Sequence, residues 1–319
     1  MSGDRIKAIV VDEAELGRLV VRDVISAQAR PGEITVRVTA ISLNRGETKR
    51  ALTTEKTGTR PGWDFAGVVD DARGVAGAPT AGTRVVGALP VGAWAERVHA
   101  PLSLLAVIPD RVTDAQAATL PVAGLTALHA LRKGGLLLGK KVLINGATGG
   151  VGQAAIQLAA ASGALVYSHI RREEQRALVE ASSTGGVIVG QTVDVARSSG
   201  PFDLVIDSVG GSALSAAITM LRKKGTCVTL GRSEGEQVSF NVAGLFDAPG
   251  ASLQSLVLFD DIAATEPAAE GLAILLRLVE QGVLKPTISI EAPWTDVAEV
   301  ARRLLDRGFA GKAVLHLPY

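Results

Sequence analysis

The chain has almost no thiol chemistry to offer: a single cysteine, Cys227, stands among 319 residues. One thiol excludes an intramolecular disulfide and a thiolate zinc cage alike. Aromatic residues are also scarce, at 3%, with only two tyrosines. Few rings are left to stack a flat ligand and few phenols to donate a proton. Net charge is close to zero, at +1, so the basic footprint of a nucleic-acid or anionic-membrane binder is missing. The start, MSGDRIKAIVVDEAE, sets acids on both sides of a short apolar run, unlike a secretory signal; a cytoplasmic protein is expected. Charge is absent altogether from Val142 to Ile170. That run still holds Asn145, Gln153, Gln157 and a glycine cluster, which suits a strand–turn–helix–strand unit better than a membrane span.

What is present fits a folded α/β protein. Apolar residues make up 47% and charged residues 20%, and the length suggests two domains. Up to about residue 118, strand-like runs at 6–11, 33–42, 67–70, 83–89 and 94–100 are separated by turn signals such as Pro31-Gly32, Pro61-Gly62 and Gly82. From about 120 to 258 strands and helices alternate. Strands are expected at 142–145, 164–169, 202–207 and 226–230, and helices at 150–162, 171–181 and 211–221. Strands that are apolar throughout and spaced by helices imply a doubly wound parallel sheet covered on both faces. The last sixty residues predict a helix over 267–281, a second helix capped by Thr295 and running to 305, and a closing strand at 312–317. The expected division is 1–118 with 260–319 as one domain and 119–259 as the other.

The stretch VLINGATGGVGQAAIQLA (142–159) carries the chemistry. Ala147, Thr148, Gly149, Gly150, Val151 and Gly152 match G-x-G-x-x-G with alanine at the first position. The pattern calls for a tight turn at 147, close backbone approach at 149 and helix-on-strand packing at 152. Amides opening the helix would then point at a pyrophosphate. At the end of the next strand the sequence reads LVYSHIRREEQ, with no acid before Glu173. Ser168, Arg171 and Arg172 suit a ribose 2′-phosphate where an NAD site usually has Asp or Glu; His169 is expected to lie beside it. NADPH is the expected cofactor. The alternative reading makes both arginines ordinary solvated helix residues.

Several motifs in order widen this: ISLNRGE (41–47), PGWDFAGVV (61–69), LPVAGLTAL (120–128), NGATGGVG (145–152), DLVIDSVGG (203–211) and GFAGKAVL (308–315). With them the chain resembles the medium-chain dehydrogenase/reductase superfamily, and within it the zinc-free quinone oxidoreductase (zeta-crystallin-like) branch. The resemblance implies a GroES-like β-barrel domain beside a Rossmann domain, an active site in the cleft, and a homodimer paired through the edge strand at 251–259. It implies that Asn44 lies near the nicotinamide ribose or substrate oxygen and Thr126 by the nicotinamide face. Val209, Gly210, Leu230 and Gly231 would line the cofactor, Phe240, Asn241 and a strand at 253–258 would meet its carboxamide, and Lys312 would close over it. Zinc-dependent relatives carry a Cys where this chain has Asn44, and Gly-His-Glu where it has Gly62-Trp63-Asp64. Without those ligands no catalytic metal is expected.

Without a Lewis acid, hydride delivery to an already electrophilic carbon fits better than alcohol oxidation. The expected function is an NADPH-dependent, zinc-independent reduction of a small-molecule quinone or α,β-unsaturated carbonyl. A pathway-specific enoyl or ketone reductase, or a non-catalytic NADPH-binding protein, remain as alternatives. Some quinone reductases carry a Tyr five positions after the Asn; here Lys49 stands there, suited to stabilise developing negative charge, with an ordinary solvated surface lysine as the alternative reading.

Overall fold

The computed structural model describes residues 4–318, which fall into two compact units. One comprises the described residues up to 125, with 262–282 and those from 286 on; the other comprises 126–261 and 283–285.

In the first unit the segment 5–25 folds back as an antiparallel hairpin, Arg5–Val11 against Leu19–Ile25. A seven-stranded sheet runs in the order Ile288–Pro293, Lys312–His316, Glu33–Ser42, Asp64–Asp71, Arg84–Ala88, Leu105–Val107, with Arg97–Pro101 added onto Glu33–Ser42. The ladders are antiparallel except where Ile288–Pro293 lies parallel to Lys312–His316. Glu33–Ser42 is the hub: it pairs with Lys312–His316, Asp64–Asp71 and Arg97–Pro101, and every residue along it except Glu33 and Arg37 is buried. It bulges near Val38, where it meets Gly67. A Cβ on Gly67 would lie 2.2 Å from the Arg37 carbonyl, so only glycine lets the two backbones meet. Trp94, Phe65, Ile9, Ile34 and Ile41 fill the core.

The second unit is the parallel sheet that the alternation of strands and helices predicts. Its six strands run Gly186–Val189, Leu165–Ile170, Lys141–Asn145, Phe202–Asp207, Leu221–Thr229, Ser252–Ser255, and every pairing is parallel. Numbered by appearance within this sheet, the order is 3-2-1-4-5-6. That is the Rossmann order, whose reversal falls between Lys141–Asn145 and Phe202–Asp207. A helix from Gly150 to Ala161 follows the first strand.

In the first unit Thr295 does not cap its helix, whose N-cap is Asp296; in the second unit three expected elements differ. Residues 171–181 form 3-10 turns, Glu173–Leu178 and Glu180–Ser182, in place of one α-helix. Of that stretch only Val179 is buried, so no apolar stripe holds a full helix against the sheet. Residues 221–225, expected to end a helix and lead into a turn, belong to the long strand Leu221–Thr229. The strand expected at 253–258 stops at Ser255, and Leu258–Ala264 is helical.

Candidate functional site

In the second unit the glycine turn joins the Lys141–Asn145 strand to the Gly150–Ala161 helix at the reversal of strand order. Its glycines are required for different reasons. Gly146 sits at φ +84°, and a Cβ there would lie 2.0 Å from Ser208 Oγ. A Cβ on Gly152 would come within 2.3 Å of the Gly146 carbonyl, so the turn and the helix touch backbone to backbone. Gly149 is different. Its φ is −77°, ordinary for any residue, and an added Cβ would meet nothing closer than the Gly146 carbonyl at 3.5 Å. Nothing in the fold demands glycine there, and the space beside it is open.

Gly149 is also the N-cap of the helix, with no side-chain cap and no acid in the first turn. The opening amides are left for an external acceptor at the positive end of the helix dipole. Beside them, Asn145 Nδ2 donates to Asp207 Oδ1 at 2.6 Å, and Asp207 Oδ2 accepts from the Gly210 amide at 2.8 Å. This ties together the ends of the two strands that flank the reversal. Burial pushes the Asp207 carboxyl above its ordinary value, although the amide bonds oppose it. The next loop packs closely too: a Cβ on Gly231 would lie 2.3 Å from the Ser208 carbonyl. Val209, Gly210, Leu230 and Gly231 therefore stand together at this edge, with the Leu230 amide donating to the Asp207 carbonyl at 2.9 Å.

The residues expected at a 2′-phosphate separate. Arg172 is exposed just past the Leu165–Ile170 strand, and Arg171 reaches Glu234 at 3.3 Å. Ser168 is fully buried, its hydroxyl 2.6 Å from Ser183 Oγ. The His169 ring turns inward, 2.9 Å from Asn145 Oδ1 and 2.9 Å from the Gly190 carbonyl, and burial holds its pKa down. Thr126 is buried in the first turn of the helix Leu125–Arg132. Phe240 and Asn241 lie in the loop before Ala243, whose amide donates to Asn241 Oδ1.

The first unit holds a buried polar cluster around Asn44, Glu47, Asp64 and Lys312. Asn44 precedes the helix Arg45–Thr53, and Glu47 reaches back so that Oε1 accepts the Asn44 amide at 2.8 Å, half of a capping box. Asn44 Nδ2 donates to Glu47 Oε1 at 3.0 Å and to Asp64 Oδ2 at 2.8 Å. Asp64 Oδ1 accepts from the Val122 amide at 2.9 Å. Lys312 Nζ donates to the Leu43 carbonyl at 2.8 Å, to Asn44 Oδ1 at 2.5 Å and to Asp64 Oδ2 at 3.3 Å. Asp64 is 0% exposed, Glu47 1% and Lys312 5%. Glu47 Oε2 is buried without a partner. Burial and the neighbouring Asp64 charge push the Glu47 carboxyl well above the usual carboxylate range; burial also raises Asp64, against the pull of Lys312.

Against known proteins, the chain superposes on a mycobacterial quinone oxidoreductase with a TM-score of 0.84 at 26% identity, covering 98% of this chain and 99% of that one. A mycobacterial protein solved in complex with NADPH aligns with a TM-score of 0.86 at 25% identity, covering 98% and 100%. The family model of zinc-binding dehydrogenases matches residues 185–315. The chain belongs to the medium-chain dehydrogenase/reductase superfamily. Among sequence relatives, it is 33% identical to a mycocerosic acid synthase-like polyketide synthase of Mycobacterium tuberculosis across 97% of its own length. It is also 33% identical to the spectinabilin polyketide synthase system protein NorB of Streptomyces orinoci across 92%. It spans 16% and 13% of those much longer proteins.

As a medium-chain dehydrogenase/reductase the chain is an oxidoreductase, and its two halves answer differently to the groups that this superfamily uses. The open approach at Gly149 and the uncapped helix fit a dinucleotide. Zinc does not fit. Among the described residues no group of three or more His, Cys, Asp or Glu side chains is placed to hold a metal ion. Asn44 and Asp64 face an ammonium, while the Trp63 indole donates to the Pro90 carbonyl.

Sequence reasoning overlooked Glu47, although Asn44-Arg-Gly-Glu47 has the spacing of a capping box. It also overlooked a second buried group: His129 Nδ1 lies 2.7 Å from Asp261 Oδ2 and Lys133 Nζ donates to Asp261 Oδ1 at 2.8 Å, while His129 Nε2 is buried without a partner. Only the tertiary fold brings residues that far apart in sequence together.

Proposed function

We propose that this chain is an NADPH-dependent, zinc-independent reductase of α,β-unsaturated carbonyl compounds. The observation that carries the cofactor part is Gly149, a glycine that the fold itself does not require. Relatives among polyketide synthases, proteins that assemble acyl chains, support an enone or enoyl thioester as acceptor. The 3% aromatic content points the same way, because a flat quinone is held best by stacked rings. The structural likeness to a quinone oxidoreductase supports a second reading, in which a quinone is the acceptor.

When bound, NADPH supplies the hydride. The amides opening the Gly150–Ala161 helix bind its pyrophosphate, with Thr148, Gly149, Val151 and Gly152 shaping the approach around Ala147. Arg171 and Arg172 would hold the 2′-phosphate. Ser168 supports that strand end from inside, since its hydroxyl is engaged with Ser183. Val209, Gly210, Leu230, Gly231 and Phe240 line the remainder of the cofactor, and Thr126 meets the nicotinamide. A β-carbon that received this hydride would leave an enolate on the substrate, which would take one proton from water to give the saturated carbonyl. Lys49, exposed on the Arg45–Thr53 helix, stabilises the enolate charge. No step passes through a metal, because the cluster around Asp64 has no ligand set for one.

The strand Ser252–Ser255 lies at the edge of its sheet, with Leu253 50% and Val257 59% exposed. A second copy of the chain pairing there covers an edge that would otherwise invite aggregation. NADPH oxidation against a panel of enones, enoyl thioesters and quinones tests the reading. Turnover with enones is expected, unaffected by a zinc chelator. Turnover with quinones alone selects the second acceptor class, and NADPH binding with no turnover on any acceptor rejects both.

A further inference from the structure

We propose that the Lys312 ammonium is a tethered cation seated in an oxygen cradle of the first unit, and that this cradle, emptied of it, takes up a small primary ammonium ion from solution. All three groups that Nζ meets are oxygens: the Leu43 carbonyl, Asn44 Oδ1 and Asp64 Oδ2. Each is held in place by something other than Lys312. The Leu43 amide donates to the Ala313 carbonyl at 3.2 Å. The Asn44 amide group is fixed through Nδ2 by Glu47 and Asp64, and Asp64 by the Val122 amide. The cradle is therefore built by the fold and survives loss of the side chain that fills it.

Its charge suits one positive charge and no more. Asp64 is the one carboxylate that Nζ meets, and the other two oxygens are neutral. A divalent ion would be under-compensated there, with too few anionic donors. The chain matches a family model named for zinc, yet the position facing Asn44 and Asp64 holds a cation that belongs to the protein. Lys312 engages all three of its ammonium protons inside the cluster, as Asn44 engages both of its amide protons. Lys312 thus fills the cradle, with no proton left for a ligand.

Chemical complementation tests this independently of any acceptor. In Lys312→Ala the missing atoms correspond to n-propylammonium, since alanine keeps Cβ. The variant, saturated with NADPH, is expected to melt roughly 5–10 °C below the unaltered protein. Recovery of at least half that loss is expected in n-propylammonium chloride, less in methyl- or ethylammonium, and none in tetramethylammonium at equal ionic strength, which has no N–H to donate. Should Lys312→Ala not accumulate as soluble protein, recovery of soluble material on refolding with each amine gives the same ranking. Asp64→Asn is expected to lose stability and to respond to no amine. Recovery without dependence on chain length, or equal gains in the unaltered protein, would overturn the proposal. So would stabilisation of the unaltered protein by one equivalent of zinc that Asp64→Asn abolishes.

Discussion

Glu47 shows how much one side chain's surroundings decide. Its Oε1 accepts two hydrogen bonds from Asn44, while Oε2 is sealed without a partner and the carboxyl is held well above its usual range, first by burial and then by Asp64. Because the folded-state value is raised, folding favours the protonated form. This contribution to stability is complete below the ordinary carboxylate value and is lost as pH rises through the folded one. Glutamine has the shape of the protonated acid and no charge to lose. Glu47→Gln is therefore expected to match the unaltered protein in thermal stability at pH 4 and to exceed it at pH 8. Equal melting temperatures of the two proteins across that range would show that Glu47 ionises freely. The glycines of the turn separate in the same manner. Gly152→Ala forces a Cβ against backbone and is expected to destabilise the fold by about 1–3 kcal/mol, measured by denaturant unfolding without cofactor.

The Gly150–Ala161 helix illustrates a conflict between an element's own stability and its use. A helix whose N-cap lacks a side-chain acceptor and whose first turn lacks an acid is not optimised for itself. Gly149→Asp supplies both, at a φ that any residue adopts. It is expected to leave the cofactor-free melting temperature unchanged or slightly raised, while NADPH affinity, read by fluorescence titration, falls at least thirtyfold. A loss of stability with affinity retained would move the phosphates away from this helix. The turns Glu173–Leu178 and Glu180–Ser182 make the complementary point: a charged segment with one buried residue has too little apolar surface to hold an α-helix. They leave Arg171 and Arg172 at the strand end, outside any helix.

For the molecule as a whole, ligand linkage and self-association are the measurable consequences. NADPH at a hundred times its Kd is expected to stabilise the protein by about 2.7 kcal/mol. NADH at the same concentration should do much less, because the 2′-phosphate contacts are missing. Replacing Arg171 and Arg172 together by alanine is expected to weaken NADPH at least tenfold and to leave NADH binding unchanged. A chain that prefers NADH would remove the case for a phosphate site. Sedimentation at micromolar concentration is expected to give twice the chain mass, and Leu253→Arg on the exposed edge strand to give the monomer.

The sequence by itself determined the alternation of strands and helices, the glycine turn and its helix, and the lack of thiol ligands. All of these are local, read from neighbouring residues through apolar runs, turn chemistry and composition. Glu33–Ser42 has the same bounds in the structure as in the sequence reading, because a run rich in β-branched residues after the Pro31-Gly32 turn has few alternatives. Tertiary structure alone decided that Lys312 meets Asn44 and Asp64 across some 250 to 270 positions, that Ser168 and His169 turn inward, and that residues 171–181 are not a helix. These outcomes depend on which surfaces the two sheets bury and which polar groups must then find partners. Burial makes a missing partner costly, and only the assembled fold determines which atoms are buried together.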